Sequence, residues 1–169
     1  LDDLLDLAVL ENGQVTLRTH TGSLQDLLDR AVGASGLRDD QLLIKHRIEN
    51  EAITSHTDLD RFSQVFINLI TNAAKYCDAD APELKIIVRE GENGHVVDFV
   101  DNGSGIAREN QDMIFEKFSR LTDHARAGGA GLGLAICTEV MQRLGGEIAY
   151  LPGQGGAAFR VTLPSGPLA

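Results

Sequence analysis

The chain has 169 residues, enough for one domain that buries about two thirds of its unfolded surface without a disulfide or a metal ion. Its 25 acidic residues outnumber its 15 Lys and Arg residues, and the formal charge of −10 argues against nucleic acid or a membrane surface as a general partner. Twelve of the 18 glycines lie between residues 103 and 166, which indicates backbone shaped around a ligand in that half of the chain.

The cellular setting follows from the cysteines and the apolar runs. Cys77 and Cys137 lie far apart and have no zinc-binding spacing, which favours a reducing compartment. No apolar run approaches the roughly 18 residues of a membrane span. A reducing compartment predicts a cytoplasmic location. The chain begins at Leu1 without a Met, so we expect a piece of a longer protein, and whether that protein has a membrane anchor stays open.

The first third of the chain alternates helical and extended patterns. The leucine spacing within residues 1–13 predicts the last turns of an amphipathic helix that starts upstream. Ser23 is a good N-cap for a helix that ends near residues 33–36. Strands are expected on either side of this helix, at 14–19 and at 41–49.

The strongest helical pattern runs from Asp58 to Tyr76, with Asp58 as the N-cap and one continuous apolar stripe. Apolar alternation and glycine turns define the later elements: strands at 84–90 and 95–100, a short helix near 109–113, a polar loop at 119–130, a helix over 132–144, and strands at 148–151 and 158–163. This order predicts an α+β fold, a two-layer sandwich in which a mixed sheet packs against three helices.

The polar face of the Asp58 helix carries four residues: Arg61, Asn68, Asn72 and Lys75. A half-buried helix has a polar outer face in any case, so the interpretation of these residues as an ordinary solvent-exposed face stays open. However, Asn is a poor mid-helix residue because its side chain competes for backbone hydrogen bonds. Amide oxygens suit Mg²⁺ and a Lys ammonium suits phosphate, so the choice of residues favours a site for both.

A glycine-rich segment from Asp101 to Ile106 follows directly after a predicted strand. It is typical of a simple turn, but glycines also let backbone approach a flat ligand whose edge Asp101 would reach. A carboxylate only accepts hydrogen bonds, so it would take one from the amino group of adenine and repel the carbonyl of guanine. This segment would therefore select one purine.

A second glycine-rich segment, residues 128–134, leads into the last predicted helix. Glycine costs about 1 kcal/mol within a helix, so Gly131 and Gly133 in its first turn need a reason. Either the helix packs closely on the sheet, or its unpaired N–H groups receive phosphate oxygens. The segment matches neither a Walker loop nor a Rossmann fingerprint.

Between the two glycine segments lies a pair of phenylalanines, Phe115 and Phe118, which we expect to pack under the polar loop. Arg120 follows two residues later. It is either solvated or folds in with the loop to meet the terminal phosphate of a ligand.

Taken in order, these segments resemble the catalytic and ATP-binding domain of sensor histidine kinases, in the superfamily shared with DNA gyrase, the Hsp90 chaperones and MutL. Residues 68–76 match the N box of that family, 101–106 the G1 box, 115–118 the F box and 129–134 the G2 box. The resemblance covers essentially the whole chain, and four boxes in the correct order make it highly specific.

The resemblance implies the fold and the boundaries of the domain. Residues 1–12 would be the end of a dimerisation helix, and residues 13–169 the catalytic domain in the Bergerat ATP-binding fold. The ATP lid would span about residues 115–130.

The resemblance also implies roles for individual residues. Asn72 would ligate Mg²⁺, with Asn68 supporting the metal and the phosphates. Lys75 and Arg120 would neutralise phosphate charge, which makes them, with Asn68, the expected catalytic residues. Asp101 would read the adenine amino group. The remaining expected nucleotide contacts are Tyr76, Gly103, Gly105, Ile106, Phe118, Gly129, Gly131, Leu132 and Gly133.

The implied reaction is transfer of the γ-phosphoryl group of ATP to a histidine on the dimerisation domain, and from there to an Asp of a response regulator receiver domain. The parent protein would be a homodimer.

Related ATP hydrolases place a Glu general base where this chain has Asn68, which favours phosphotransfer over hydrolysis. The resemblance implies a phosphoacceptor His that is followed by an acidic residue, and none of the five histidines is followed by one, so we expect no autophosphorylation of this piece. Ala130 replaces a Thr that is frequent in the G2 box.

Two other functions share much of this pattern. A protein serine kinase of the anti-sigma type would have the same boxes, but would lack the helix remnant at residues 1–13. A non-catalytic docking module would have lost some of the boxes, and all four are present.

Overall fold

Three helices and seven strands occur in the computed structural model of the chain, which describes residues 16–92, 94–116 and 133–164. The helices are α1 (Leu24–Ala34), α2 (Leu59–Tyr76) and α3 (Gly133–Arg143), and Arg108–Asn110 forms a short 3-10 helix. The strands are β1 (His20–Ser23), β2 (Leu43–Ile48), β3 (Thr54–Thr57), β4 (Glu83–Glu90), β5 (Gly94–Asp101), β6 (Glu147–Tyr150) and β7 (Ala158–Pro164). None of these helices is long and apolar enough to cross a membrane.

Five of the strands form one mixed sheet in the order β2–β4–β5–β7–β6. Strand β2 runs parallel to β4, and the other neighbours are antiparallel. Strands β1 and β3 form a separate antiparallel pair. A five-stranded mixed sheet and three helices confirm the two-layer α+β architecture expected from the sequence.

Side-chain caps begin the first two helices as the sequence predicts. The Ser23 hydroxyl accepts a hydrogen bond from the backbone N–H of Asp26 at 3.2 Å, and Asp58 accepts one from that of Arg61 at 3.2 Å. The second carboxylate oxygen of Asp58 accepts a hydrogen bond from the backbone N–H of Arg18 at 3.0 Å. Asp58 therefore caps α2 and also holds the segment that precedes β1.

The core lies between the helices and one face of the sheet. Alternate residues of β4 and β5 face it, and α2 contributes the large apolar side chains of its stripe. The Phe66 ring lies between two others, with ring centroids 4.8 Å from Phe62 and 5.3 Å from Phe99. Replacing such a ring by Ala costs about 3–5 kcal/mol, so this cluster fixes α2 on the sheet.

Three elements differ from the sequence prediction. The strand expected at 14–19 is wrong in position, because β1 lies at His20–Ser23 and the described part of 14–19 is irregular. The apolar pattern did not indicate β3, whose sequence TSHT has no apolar residue. The helix expected near 109–113 is limited to the 3-10 turn at Arg108–Asn110, followed by non-helical turns.

Candidate nucleotide-binding site

Helix α2 carries the predicted metal and phosphate residues in its second half. Asn68 and Asn72 are half-buried, Lys75 is exposed in the last turn, and the half-buried Tyr76 ends the helix. The Thr71 hydroxyl donates to the carbonyl of Asn68 at 3.2 Å, a bond within the helix. A Lys in the last turn also suits the negative end of the helix dipole, so the fold tolerates this cation with or without a ligand.

The Asn68 side chain also lies beside α3, close to the thiol of Cys137. This thiol is fully buried, and its Sγ lies 3.9 Å from the carbonyl oxygen of Val65. Burial raises the pKa of Cys137 to about 12, and the nearby Asn68 side chain offsets part of that rise. The contact joins α2 to the helix that begins at Gly133.

Asp101 ends β5 at the edge of the first glycine-rich loop and is only 9% exposed. Its Oδ1 accepts hydrogen bonds from the backbone N–H groups of Gly103, at 2.8 Å, and Ala157, at 3.0 Å. Within the described residues, Oδ2 accepts no hydrogen bond. The two backbone donors therefore fix the orientation of the carboxylate and leave one oxygen for a ligand.

Burial raises the pKa of Asp101 above the usual range of an aspartic acid. The backbone hydrogen bonds from Gly103 and Ala157 lower it in part, and the negative charge of Asp78 raises it further. A carboxylate that keeps an open acceptor in so poorly solvated a place is typical of a binding site.

Asp78 lies just after α2 and holds the glycine-rich loop from that side. It accepts hydrogen bonds from the backbone N–H of Ser104 at 2.7 Å and from the Ser104 hydroxyl at 2.5 Å. The sequence pattern did not single out Asp78, because it lies 26 residues away from its partner.

Asn102 connects the same loop to the segment between α2 and β4. Its Nδ2 donates to the carbonyl of Ala81 at 2.9 Å, and its Oδ1 accepts from the backbone N–H of Glu83 at 2.8 Å. The Cys77 thiol donates to the same Oδ1 at 3.3 Å. Asn102 is therefore a structural residue that ties the end of α2 to the loop.

The hairpin between β6 and β7 supports the loop from the opposite side. Gly105 adopts a φ of +82°, a left-handed conformation that favours glycine. The backbone N–H of Ile106 donates to the Tyr150 hydroxyl at 3.1 Å. A Cβ at Gly156 would come within 2.0 Å of the Asp101 carbonyl oxygen, so only glycine fits against this backbone. Neither Tyr150 nor Gly156 was singled out in the sequence.

The F and G2 boxes are described only in part. Phe115 is half-buried, and its ring centroid lies 6.0 Å from that of Phe159 in an edge-on arrangement. Gly133 is the first residue of α3, and a Cβ built there would meet no described atom within 4 Å. The other predicted site residues in this part of the chain lie outside the described residues: Phe118, Arg120, Gly129, Gly131 and Leu132. The helix expected at 1–12 and nearly all of the predicted lid also lie outside them.

The donor set on α2 fits Mg²⁺ better than a metal that needs His or Cys ligands. Among residues 16–92, 94–116 and 133–164, no group of three or more His, Cys, Asp or Glu side chains is arranged to hold a metal ion. Half-buried amide oxygens from Asn68 and Asn72 are hard, neutral donors. Mg²⁺ bound by one or two protein groups takes its other ligands from phosphate oxygens and water.

Known proteins match this chain over most of its length. The family model for histidine kinase-, DNA gyrase B- and HSP90-like ATPases matches residues 57–167. The sensor protein KdpD of Escherichia coli strain K12 is 36% identical over 168 residues, which are 97% of this chain and 18% of KdpD. The chain spans about a fifth of the length of such relatives.

Solved structures give the same result. The Acinetobacter baumannii histidine kinase AdeS matches with a TM-score of 0.76 and 27% identity, over 96% of this chain and 75% of that one. Full-length ShkA in complex with AMPPNP matches with a TM-score of 0.77 and 25% identity, over 98% of this chain and 36% of that one. The resemblance inferred from the four boxes is confirmed: the chain belongs to the histidine kinase-, DNA gyrase B- and HSP90-like ATPase family, and its fold is that of a histidine kinase catalytic domain.

Proposed function

We propose that this chain binds Mg·ATP and transfers the γ-phosphoryl group to a histidine on the dimerisation domain of its parent sensor kinase. The observation that carries the proposal is the carboxylate of Asp101, which two backbone N–H groups orient through Oδ1, while Oδ2 accepts no hydrogen bond from any residue that the structure describes. Oδ2 would accept a hydrogen bond from the adenine amino group. Guanine has a carbonyl oxygen at that position, which a carboxylate would repel.

The phosphates would lie toward the polar half of α2. Asn72 and Asn68 would hold Mg²⁺, and Mg²⁺ bound there would neutralise part of the phosphate charge. Lys75, in the last turn of α2, would add a mobile positive charge, and Arg120 would add another from the predicted lid. Gly133 begins α3, and its lack of a side chain would let a phosphate oxygen approach the N–H groups there.

The reaction would depend on positioning and charge neutralisation, as phosphoryl transfer does in general. An amide cannot take a proton from water, so Asn68 does not provide the general base that hydrolysis needs. ATP bound here would therefore be held for an incoming histidine nucleophile. ShkA, whose structure is described as a complex with the ATP analogue AMPPNP, supports ATP as the nucleotide.

The other partners are part of the same proposal. The phosphoryl group would pass from the histidine to an Asp on the receiver domain of a response regulator. The parent protein would be a homodimer, with this domain in the cytoplasm. Support comes from relatives that are sensor proteins, such as KdpD.

A labelling experiment tests this function. The chain is mixed with the dimerisation domain of its parent protein and ATP that is radiolabelled in the γ-phosphate. We expect label on a histidine of the dimerisation domain, stable in base and lost in acid. Acid-stable label on a serine would indicate a protein serine kinase, and ATP binding without label on any partner would indicate a docking module. The variant Asn72→Ala should lose labelling while it keeps its fold.

A further inference from the structure

Tyr150 contacts the first glycine-rich loop from the β6–β7 hairpin. Its hydroxyl oxygen accepts a hydrogen bond from the backbone N–H of Ile106 at 3.1 Å and lies 3.4 Å from the position of a Cβ on Gly105. These are loop residues for which the family resemblance implies nucleotide contacts. Tyr150 itself belongs to none of the four boxes.

The Tyr150 ring is held in place independently of the loop. Tyr150 ends β6, pairs with Phe159 of β7 in the register of the sheet, and packs edge-on against its ring with centroids 5.5 Å apart. Phe159 packs in turn against Phe115, at 6.0 Å. The hydroxyl is therefore presented from a fixed ring, and its position does not depend on how the loop moves.

The same hairpin also holds the other end of the loop. The backbone N–H of Ala157 orients Asp101, and Gly156 packs against the Asp101 carbonyl. The loop from Asp101 to Ile106 is thus attached to one hairpin at both ends, by Ala157 at the first residue and by Tyr150 at the last.

From this arrangement we propose that Tyr150 is a positioning residue for adenine recognition, which fixes the loop so that Asp101 and the Gly105 backbone face the base together. The proposal rests on the proposed ATP binding. Without the hydroxyl, the Ile106 N–H loses its partner, and the loop, with glycine at 103 and 105, gains conformations that binding must then restrict. The loss of binding free energy then affects the contacts to the base and not the contacts to the phosphates.

The test compares Mg·ATP with Mg·ITP, which carries a carbonyl oxygen in place of the adenine amino group. Dissociation constants are measured by titration calorimetry for the unsubstituted chain and for Tyr150→Phe, which keeps the ring. We expect the Kd for Mg·ATP to rise between about twofold and tenfold, the range of one hydrogen bond, and the Kd for Mg·ITP to change less. The preference for ATP should therefore fall.

The matched control is Ser35→Ala, which removes another hydroxyl hydrogen bond, 2.6 Å to the Val32 carbonyl at the end of α1. It should leave both dissociation constants unchanged, and thermal denaturation should show that both variants are folded. An unchanged Kd for Mg·ATP in Tyr150→Phe, or an equal rise in Kd for both nucleotides, would overturn the proposed role of Tyr150 but not the proposed ATP binding. If the unsubstituted chain bound neither nucleotide, the proposed function would be overturned as well.

Discussion

Gly156 packs directly on the backbone of Asp101, so closely that a Cβ on Gly156 would lie 2.0 Å from the Asp101 carbonyl oxygen and 2.8 Å from its Oδ1. The next residue, Ala157, donates its backbone N–H to the same Oδ1 at 3.0 Å. The final hairpin of the chain therefore sets the position of the carboxylate that we assign to adenine. A change in the hairpin should affect both stability and nucleotide binding.

Gly156→Ala tests this contact. The added methyl group meets backbone, which cannot move aside as a flexible side chain does, so strands β5 and β7 must separate locally. We expect a loss of about 1–3 kcal/mol in the free energy of unfolding, measured by urea denaturation, and a weaker affinity for Mg·ATP. Gly33→Ala in α1 is the matched control, because a Cβ there meets nothing within 4 Å. A Gly156→Ala chain as stable as the Gly33→Ala chain would contradict the packing described.

The raised pKa of Asp101 predicts a specific dependence of stability on pH. An unfolded Asp has a pKa of about 3.9, and the folded chain holds the proton to higher pH. The stability from this group is therefore full below about pH 3.9 and is lost as the pH rises through the folded pKa. Asp101→Asn has no proton to lose at this position. The free energy of unfolding of the variant minus that of the unsubstituted chain should therefore increase as the pH rises.

Urea denaturation of both chains at a series of pH values measures this difference. The difference in the free energy of unfolding should start to increase near pH 3.9 and become constant once Asp101 is ionised in the folded state. A difference that stays constant with pH would show that burial does not perturb this carboxyl group.

The two cysteines should differ in reactivity toward a thiol reagent such as Ellman's reagent at pH 8. Cys137 is fully buried, and burial raises its pKa to about 12, so the native chain offers almost no thiolate there. Cys77 is half-exposed. We expect one thiol to react in the native chain and the second only after denaturation. In Cys77→Ser the fast reaction should disappear, and a fast reaction of that variant would contradict the burial of Cys137.

The parts of the molecule that follow from local sequence patterns were predicted well. The cap of α2 was predictable because the Asp58 carboxylate accepts from an N–H only three residues along the chain, and the apolar stripe fixes which side of α2 faces the sheet. Asp101 was identified because it directly follows a strand and precedes two glycines. Each of these signals lies within a few consecutive residues.

The residues that sequence reasoning missed act over long separations. Tyr150 and Ala157 meet the loop across 44 and 56 residues, and those contacts depend on the register of β7 against β5 and β6. Asp78 meets Ser104 across 26 residues in the same way. No local pattern encodes such pairs. Strand β3 was missed for a different reason: its polar residues pair with β1 through the backbone, without apolar alternation.

The most direct measurement of the central claim is the affinity of Asp101→Asn for Mg·ATP by titration calorimetry. The Asn oxygen can still accept the hydrogen bonds from Gly103 and Ala157, so the variant should fold. Its amide nitrogen then replaces Oδ2 and faces the adenine amino group, donor against donor. We predict a Kd raised at least about tenfold, the loss of one hydrogen bond to a charged acceptor. An unchanged Kd in the folded variant would contradict the assignment of Asp101 to adenine.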